Sequence, residues 1–210
     1  MKQRLGILPV LVCLLPWAGP AGGAEIFQPR SAEDFGSGAT MRTDWYAPGG
    51  LGGGVGAFAG HPNGLARSDR VLVRFNLSRL LAWPAETVSR QTATLRFSVA
   101  LVTGKAAVRK LEIVHLKYDP WRLSGNDLVN QAVETVGTVE VRQEDAPGRV
   151  HSLPVTTVVR EDLLRGNPFC GFRFRDVEAE RQGNPDLAPT GAVVSFGENG
   201  PVLEIGDAER

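Results

Sequence analysis

Arg70-Val71-Leu72-Val73-Arg74-Phe75-Asn76-Leu77 sets Val71, Val73, Phe75 and Leu77 on one side, and Arg70, Arg74 and Asn76, with Leu72, on the other. Side chains alternate across an extended chain, so this stretch reads as a half-buried strand with an apolar core face. Thr94 to Leu101 repeats the pattern: Leu95, Phe97, Val99 and Leu101 point one way, and Thr94, Arg96, Ser98 and Ala100 the other. Gly104-Lys105 marks a tight turn, which makes Val108 to Tyr118 the expected hairpin partner. Working outward, strands are expected at Thr40 to Tyr46, Val133 to Arg142 and Val150 to Val155. Near the end of the chain, Cys170, Phe172 and Phe174 share one face opposite Gly171, Arg173 and Arg175. Ala192 to Phe196 and Val202 to Ile205 flank the turn signal Gly197-Glu198-Asn199-Gly200-Pro201 and read as a closing hairpin.

Helical periodicity is scarce. Thr156 to Leu164 is the best stretch, with Val158, Val159 and Leu163 on one side, Thr156 or Thr157 as N-cap, and Gly166 with Pro168 as the stop. Many short strands, frequent turn residues and one short helix predict an all-β fold, an antiparallel jelly-roll-like β-sandwich. Two segments fall outside the strand pattern. Pro48 to Gly60 holds seven glycines in 13 residues, and Glu178 to Pro189 is polar with two prolines. Both are expected to be surface loops, because glycine-rich backbone loses the most entropy on ordering.

The N-terminus has a separate character. Lys2 and Arg4 precede an apolar run from Leu5 to Trp17, and small residues follow through Ala21-Gly22-Gly23-Ala24. This is the order of a cleavable signal peptide spanning residues 1–24, with cleavage after Ala24 preferred and after Ala21 second. The run is too short to cross a bilayer about 30 Å thick at about 1.5 Å per residue. The expected product is a single β-sandwich domain, residues 25–210, secreted to an extracellular or periplasmic location. It retains Cys170 alone of the two cysteines, so it forms no internal disulfide and depends on its core.

Composition narrows the function. The 210 residues carry 23 basic and 23 acidic side chains, with 42% apolar residues. A disordered chain would be less apolar, and a nucleic-acid partner calls for a basic excess that is missing here.

Three stretches resemble the DNRLRE-type domain, also described as a family-96 carbohydrate-binding module. The first is Arg70 to Ser78, followed by Ala93-Thr94-Leu95-Arg96-Phe97. The second is Tyr118-Asp119-Pro120-Trp121. The third runs from Val155-Thr156-Thr157-Val158-Val159 through Gly166-Asn167 to Gly171-Phe172-Arg173-Phe174. With the closing segment, the likeness spans about Phe27 to Ile205. Asn76 stands where that family carries Asp, and the Thr-Trp pair expected after Trp121 is replaced by Asp127-Leu128-Val129-Asn130. The resemblance implies a secreted jelly-roll sandwich that acts beside polysaccharide-processing proteins, and fold alone does not fix function.

The search for catalytic groups yields little. His61, His115 and His151 lack ligand spacing, and no Cys-x-x-Cys, His-Glu-x-x-His, Gly-x-Ser-x-Gly or Walker motif occurs. His115 reads as a hydrogen-bonded structural histidine and Cys170 as a buried inert thiol. Glu161-Asp162 and Glu178 with Glu180 are the nearest carboxylate pairs. They read as solvated, without the burial that a catalytic acid needs. Asn76-Leu77-Ser78 matches a glycosylation sequon within a strand.

The expectation is therefore a non-catalytic module that binds polysaccharide or serves at the cell surface. The alternative is a structural or assembly protein of the envelope or matrix with protein partners and no glycan site. Aromatic rings stack on sugar faces, which selects Trp45, Tyr46 and Trp83, while Arg70, Arg74 and Arg96 would pair with acidic sugars. A structural Ca²⁺ held by loop oxygens is compatible with such sandwiches, with no ligand set singled out.

Overall fold

The computed structural model describes residues 25–27, 56–61, 71–116, 134–146, 148–182, 190–195 and 200–207. The expected signal peptide, the strand expected at Thr40 to Tyr46, the Tyr118-Asp119-Pro120-Trp121 motif and most of both expected loops lie outside those residues.

Among the described residues, ten strands form two antiparallel sheets. β1 (Glu25–Phe27), β10 (Val202–Asp207), β4 (Gln91–Thr103), β9 (Thr190–Ser195) and β2 (Gly56–His61) lie side by side in that order, and β7 (Val150–Pro154) also pairs with β4. The second sheet runs β3 (Val71–Asn76), β8 (Phe169–Asp176), β5 (Val108–Leu116), β6 (Glu134–Arg142). α1 (Ala85–Arg90), α2 (Thr156–Leu164) and α3 (Val177–Gln182) connect them.

The alternation at Val71, Val73 and Phe75 forms the inner face of β3, and all three are fully buried. Leu95, Phe97 and Val99 of β4 face them from the other sheet, and all belong to one apolar core. Phe97 meets Phe174 across the layers edge to face, with ring centroids 4.9 Å apart. This is a sandwich in which both sheets donate to a single core.

Leu101 departs from the expected phase. The β4–β9 register steps from Val99↔Val194 to Leu101↔Val193, so Ala100 is an extra residue on β4. A bulge shifts the side-chain alternation by one. Leu101 is consequently 50% exposed, and Val102, not Leu101, turns inward at 2%.

Two connections and the number of helices also differ from expectation. β4 and β5 do not pair; the turn at Gly104 carries the chain from one sheet to the other. β9 and β10 form no hairpin, since both pair with β4, at different stretches of it. The chain has three short helices among the described residues, not one. α3 occupies the start of the segment expected to be a loop, because Asp176 caps it: its Oδ1 accepts the Ala179 N–H at 2.9 Å.

β2 corrects the end of the expected glycine-rich loop. Gly56 to His61 pairs in register with β9, with Gly60 opposite Gly191. Gly60 has φ +141°, and a Cβ there would collide with the Thr190 carbonyl oxygen. Here glycine makes a strand pairing possible.

Candidate functional site

Three polar side chains are sealed in the core where α2 packs against the four-stranded sheet. α2 buries Val158, Val159, Asp162 and Leu163, following buried Val155. These positions are i, i+3, i+4, i+7 and i+8, the apolar stripe of an amphipathic helix. Asp162 thus occupies a core position, 1% exposed. The expectation that Glu161 and Asp162 are a solvated pair holds only for Glu161, which meets Arg165 at 3.0 Å near the surface. A helical turn separates their environments because consecutive residues point about 100° apart.

β5 and β8 supply the other two. His115 lies opposite Phe172 in the β5–β8 register, and Phe75 of β3 lies opposite Cys170. His115 is 1% exposed and Cys170 fully buried. His115 Nε2 and Asp162 Oδ2 are 2.8 Å apart, and one donor atom from each of His115, Asp162 and Cys170 falls within 4.8 Å of the other two. His115 is hydrogen-bonded, as expected, but only on one nitrogen: its buried Nδ1 has no partner.

The helix end orients the carboxylate. The Gly166 N–H donates to the Leu163 carbonyl at 3.0 Å, and the Asn167 N–H donates to the Asp162 carbonyl at 2.9 Å. Together these bonds form a Schellman motif. Gly166 takes φ +73°, the left-handed conformation that the motif requires. The motif swings Asn167 back over the last turn, where its Nδ2 donates to Asp162 Oδ1 at 2.8 Å. One carboxylate oxygen is thus held by Asn167, and the other faces His115. The N-terminus of α2 is set differently from expectation. Neither Thr156 nor Thr157 caps it; the N-cap is Val155, and the Thr156 hydroxyl bonds to β4.

Burial is the main cause that drives the Cys170 thiol well above its ordinary pKa, followed by the charge of Asp162 and a hydrogen bond to it. A thiol so placed stays protonated and is a poor nucleophile. Closed off from solvent, the trio gathers one nitrogen, one oxygen and one sulfur, atoms of the kinds that ligate metal ions.

Of the residues selected for sugar contact, the three that are described, Trp83, Arg74 and Arg96, do not gather at one place. Trp45, Tyr46 and Arg70 lie outside the described residues. Trp83 is half-buried and packs against the core. Arg74 was expected on a solvated face; it is 7% exposed, with its guanidinium 4.1 Å from the centre of the Phe169 ring. Arg96 is exposed and meets Glu204 of β10 at 2.6 Å. Arg74 and Arg96 project from the outer faces of different sheets, so they look in opposite directions across the sandwich. Sequence reasoning placed Asp162 in a solvated pair with Glu161, and the signal that would have put it in the core is its i+7 place behind Val155.

The chain matches no protein-family model and no curated protein.

Proposed function

We propose that the chain is an exported, non-catalytic module, released after residue 24, that binds polysaccharide or serves at the cell surface in the manner of the DNRLRE-type domains it resembles. On this reading the two sheets are wound as a jelly roll. The observation that supports it is how the resembling stretches meet. Val71 to Asn76 of the first stretch pairs residue for residue with Phe169 to Phe174 of the third, and α2 of that third stretch packs against β4, which carries the Ala93 to Phe97 motif. Segments nearly a hundred residues apart thus form one unit of the fold. No helix among the described residues is long and apolar enough to cross a membrane.

Affinity electrophoresis of residues 25–210 through gels containing alginate or neutral polysaccharides tests this reading. Retardation on at least one, with no release of reducing sugar or unsaturated product, is expected. Free migration through all of them overturns glycan binding and favours an envelope or matrix assembly protein. Product release makes the chain an enzyme.

A further inference from the structure

We propose that His115, Asp162 and Cys170 are the protein ligands of a divalent transition-metal ion of the zinc class, set in the core between α2 and the four-stranded sheet. The inference is independent of any glycan ligand.

The fold brings together three donors from β5, α2 and β8, all within 4.8 Å. They are one nitrogen, one oxygen and one sulfur, a set that suits zinc and its cobalt surrogate. Calcium takes six to eight oxygens and does not fit this set. In a tetrahedral shell with bonds of about 2.0–2.3 Å, ligand atoms sit about 3.3–3.6 Å apart. His115 Nε2 and Asp162 Oδ2, now 2.8 Å apart, need to part by about half an ångström, and the thiol to draw inward. Side-chain rotation supplies movements of this size.

Charge favours the same assignment. A thiolate, a carboxylate and a neutral imidazole cancel a 2+ ion, so the loaded site is a neutral unit in an apolar core. The imidazole, the carboxylate and the thiol stand together in an apolar core. Burial of such groups is costly unless each is partnered. Asn167 acts as the outer support, fixing Asp162 Oδ1 so that Oδ2 points into the cluster.

The test is to refold the full chain, carrying Cys13→Ser, with Co²⁺ or with a chelator. Stoichiometric cobalt uptake with a thiolate-to-cobalt charge-transfer band and tetrahedral ligand-field bands is expected. Zn²⁺ should displace the cobalt and raise the melting temperature, since a ligand bound only by the folded state stabilises it. Cys170→Ser should abolish the charge-transfer band, and Asn167→Ala should weaken metal binding about tenfold. The Cys13→Ser chain decides the matter even where a site variant fails to fold. If it refolds equally with and without metal, shows no charge-transfer band and gains no thermal stability from Zn²⁺, the proposal is overturned. A band that survives Cys170→Ser overturns it as well.

Discussion

His151 shows how a single side chain ties stability to pH. It sits on β7, is 9% exposed, and stacks on Phe97 with ring centroids 5.4 Å apart. Burial depresses its pKa below the usual 6.5, reinforced by Arg149 and opposed by Asp145. The folded state then binds fewer protons than the unfolded one. The stabilisation that follows is complete above 6.5 and is lost as pH falls through the depressed folded value. The neighbouring Asp145 carboxyl is held below its usual 3.8, first by the hydrogen bond from Arg149, so its own contribution is lost only in stronger acid. Burial raises the Asp176 pKa, which gives the opposite slope, but that group is common to wild type and variant. The urea midpoint of the wild type should therefore fall more steeply than that of His151→Gln between about pH 7 and pH 5. Parallel curves would remove His151 from this role. The same residue-by-residue view explains what the sequence concealed. Asp162 looked solvated because it adjoins Glu161, and Gly60 looked like loop because glycine is scarce in strands. In both cases a tertiary neighbour, His115 for one and the Thr190 backbone for the other, determines the environment.

At the scale of elements, α2 depends on a contact that helix capping rules do not anticipate. The Thr156 hydroxyl accepts the Ala93 N–H at 2.9 Å and approaches the Ala93 carbonyl at 3.3 Å, while the Val155 N–H donates to that same carbonyl at 2.9 Å. This clamp fixes the first turn of α2 to β4 and so sets the approach of Asp162 to His115. Thr156→Val keeps the shape and removes the hydroxyl. It leaves the Ala93 N–H without that partner, at a cost of about 1–3 kcal/mol, to be read as a lower urea midpoint at unchanged slope. No loss of stability would mean that the clamp contributes nothing net. The span of α2 and the inner faces of β3, β4 and β8 were legible because each residue pattern shows its own period. The partners of strands were not legible. Period-two alternation reports which side faces the core and says nothing about which strand lies alongside. It therefore could not reveal that β5 leaves β4 for the other sheet, or that β9 and β10 both pair with β4. The bulge at Ala100 was hidden as well, because Leu101 is as apolar as the inward residues before it.

At the scale of the molecule, one apolar core joins two sheets, and Cys170, the free cysteine among the described residues, is buried within it. Phe97 stands where the layers meet: β4 carries it, Phe174 of the opposite sheet meets its ring, and His151 of β7 covers its other side. Removing this ring opens a cavity that reaches both layers, and the rigid strands around it cannot collapse to fill the space. Phe97→Ala should cost about 3–5 kcal/mol, a large share of the roughly 5–15 kcal/mol that holds a typical domain together. Leu101→Ala, on the same strand but turned outward by the bulge, should change stability by no more than about 0.5 kcal/mol. Chemical denaturation of the two variants separates the contribution of apolar residue type from that of position. Comparable losses would mean that Leu101 is packed and that the bulge does not exist in solution. A large loss confined to Phe97 would show that the two sheets are coupled through their shared interior.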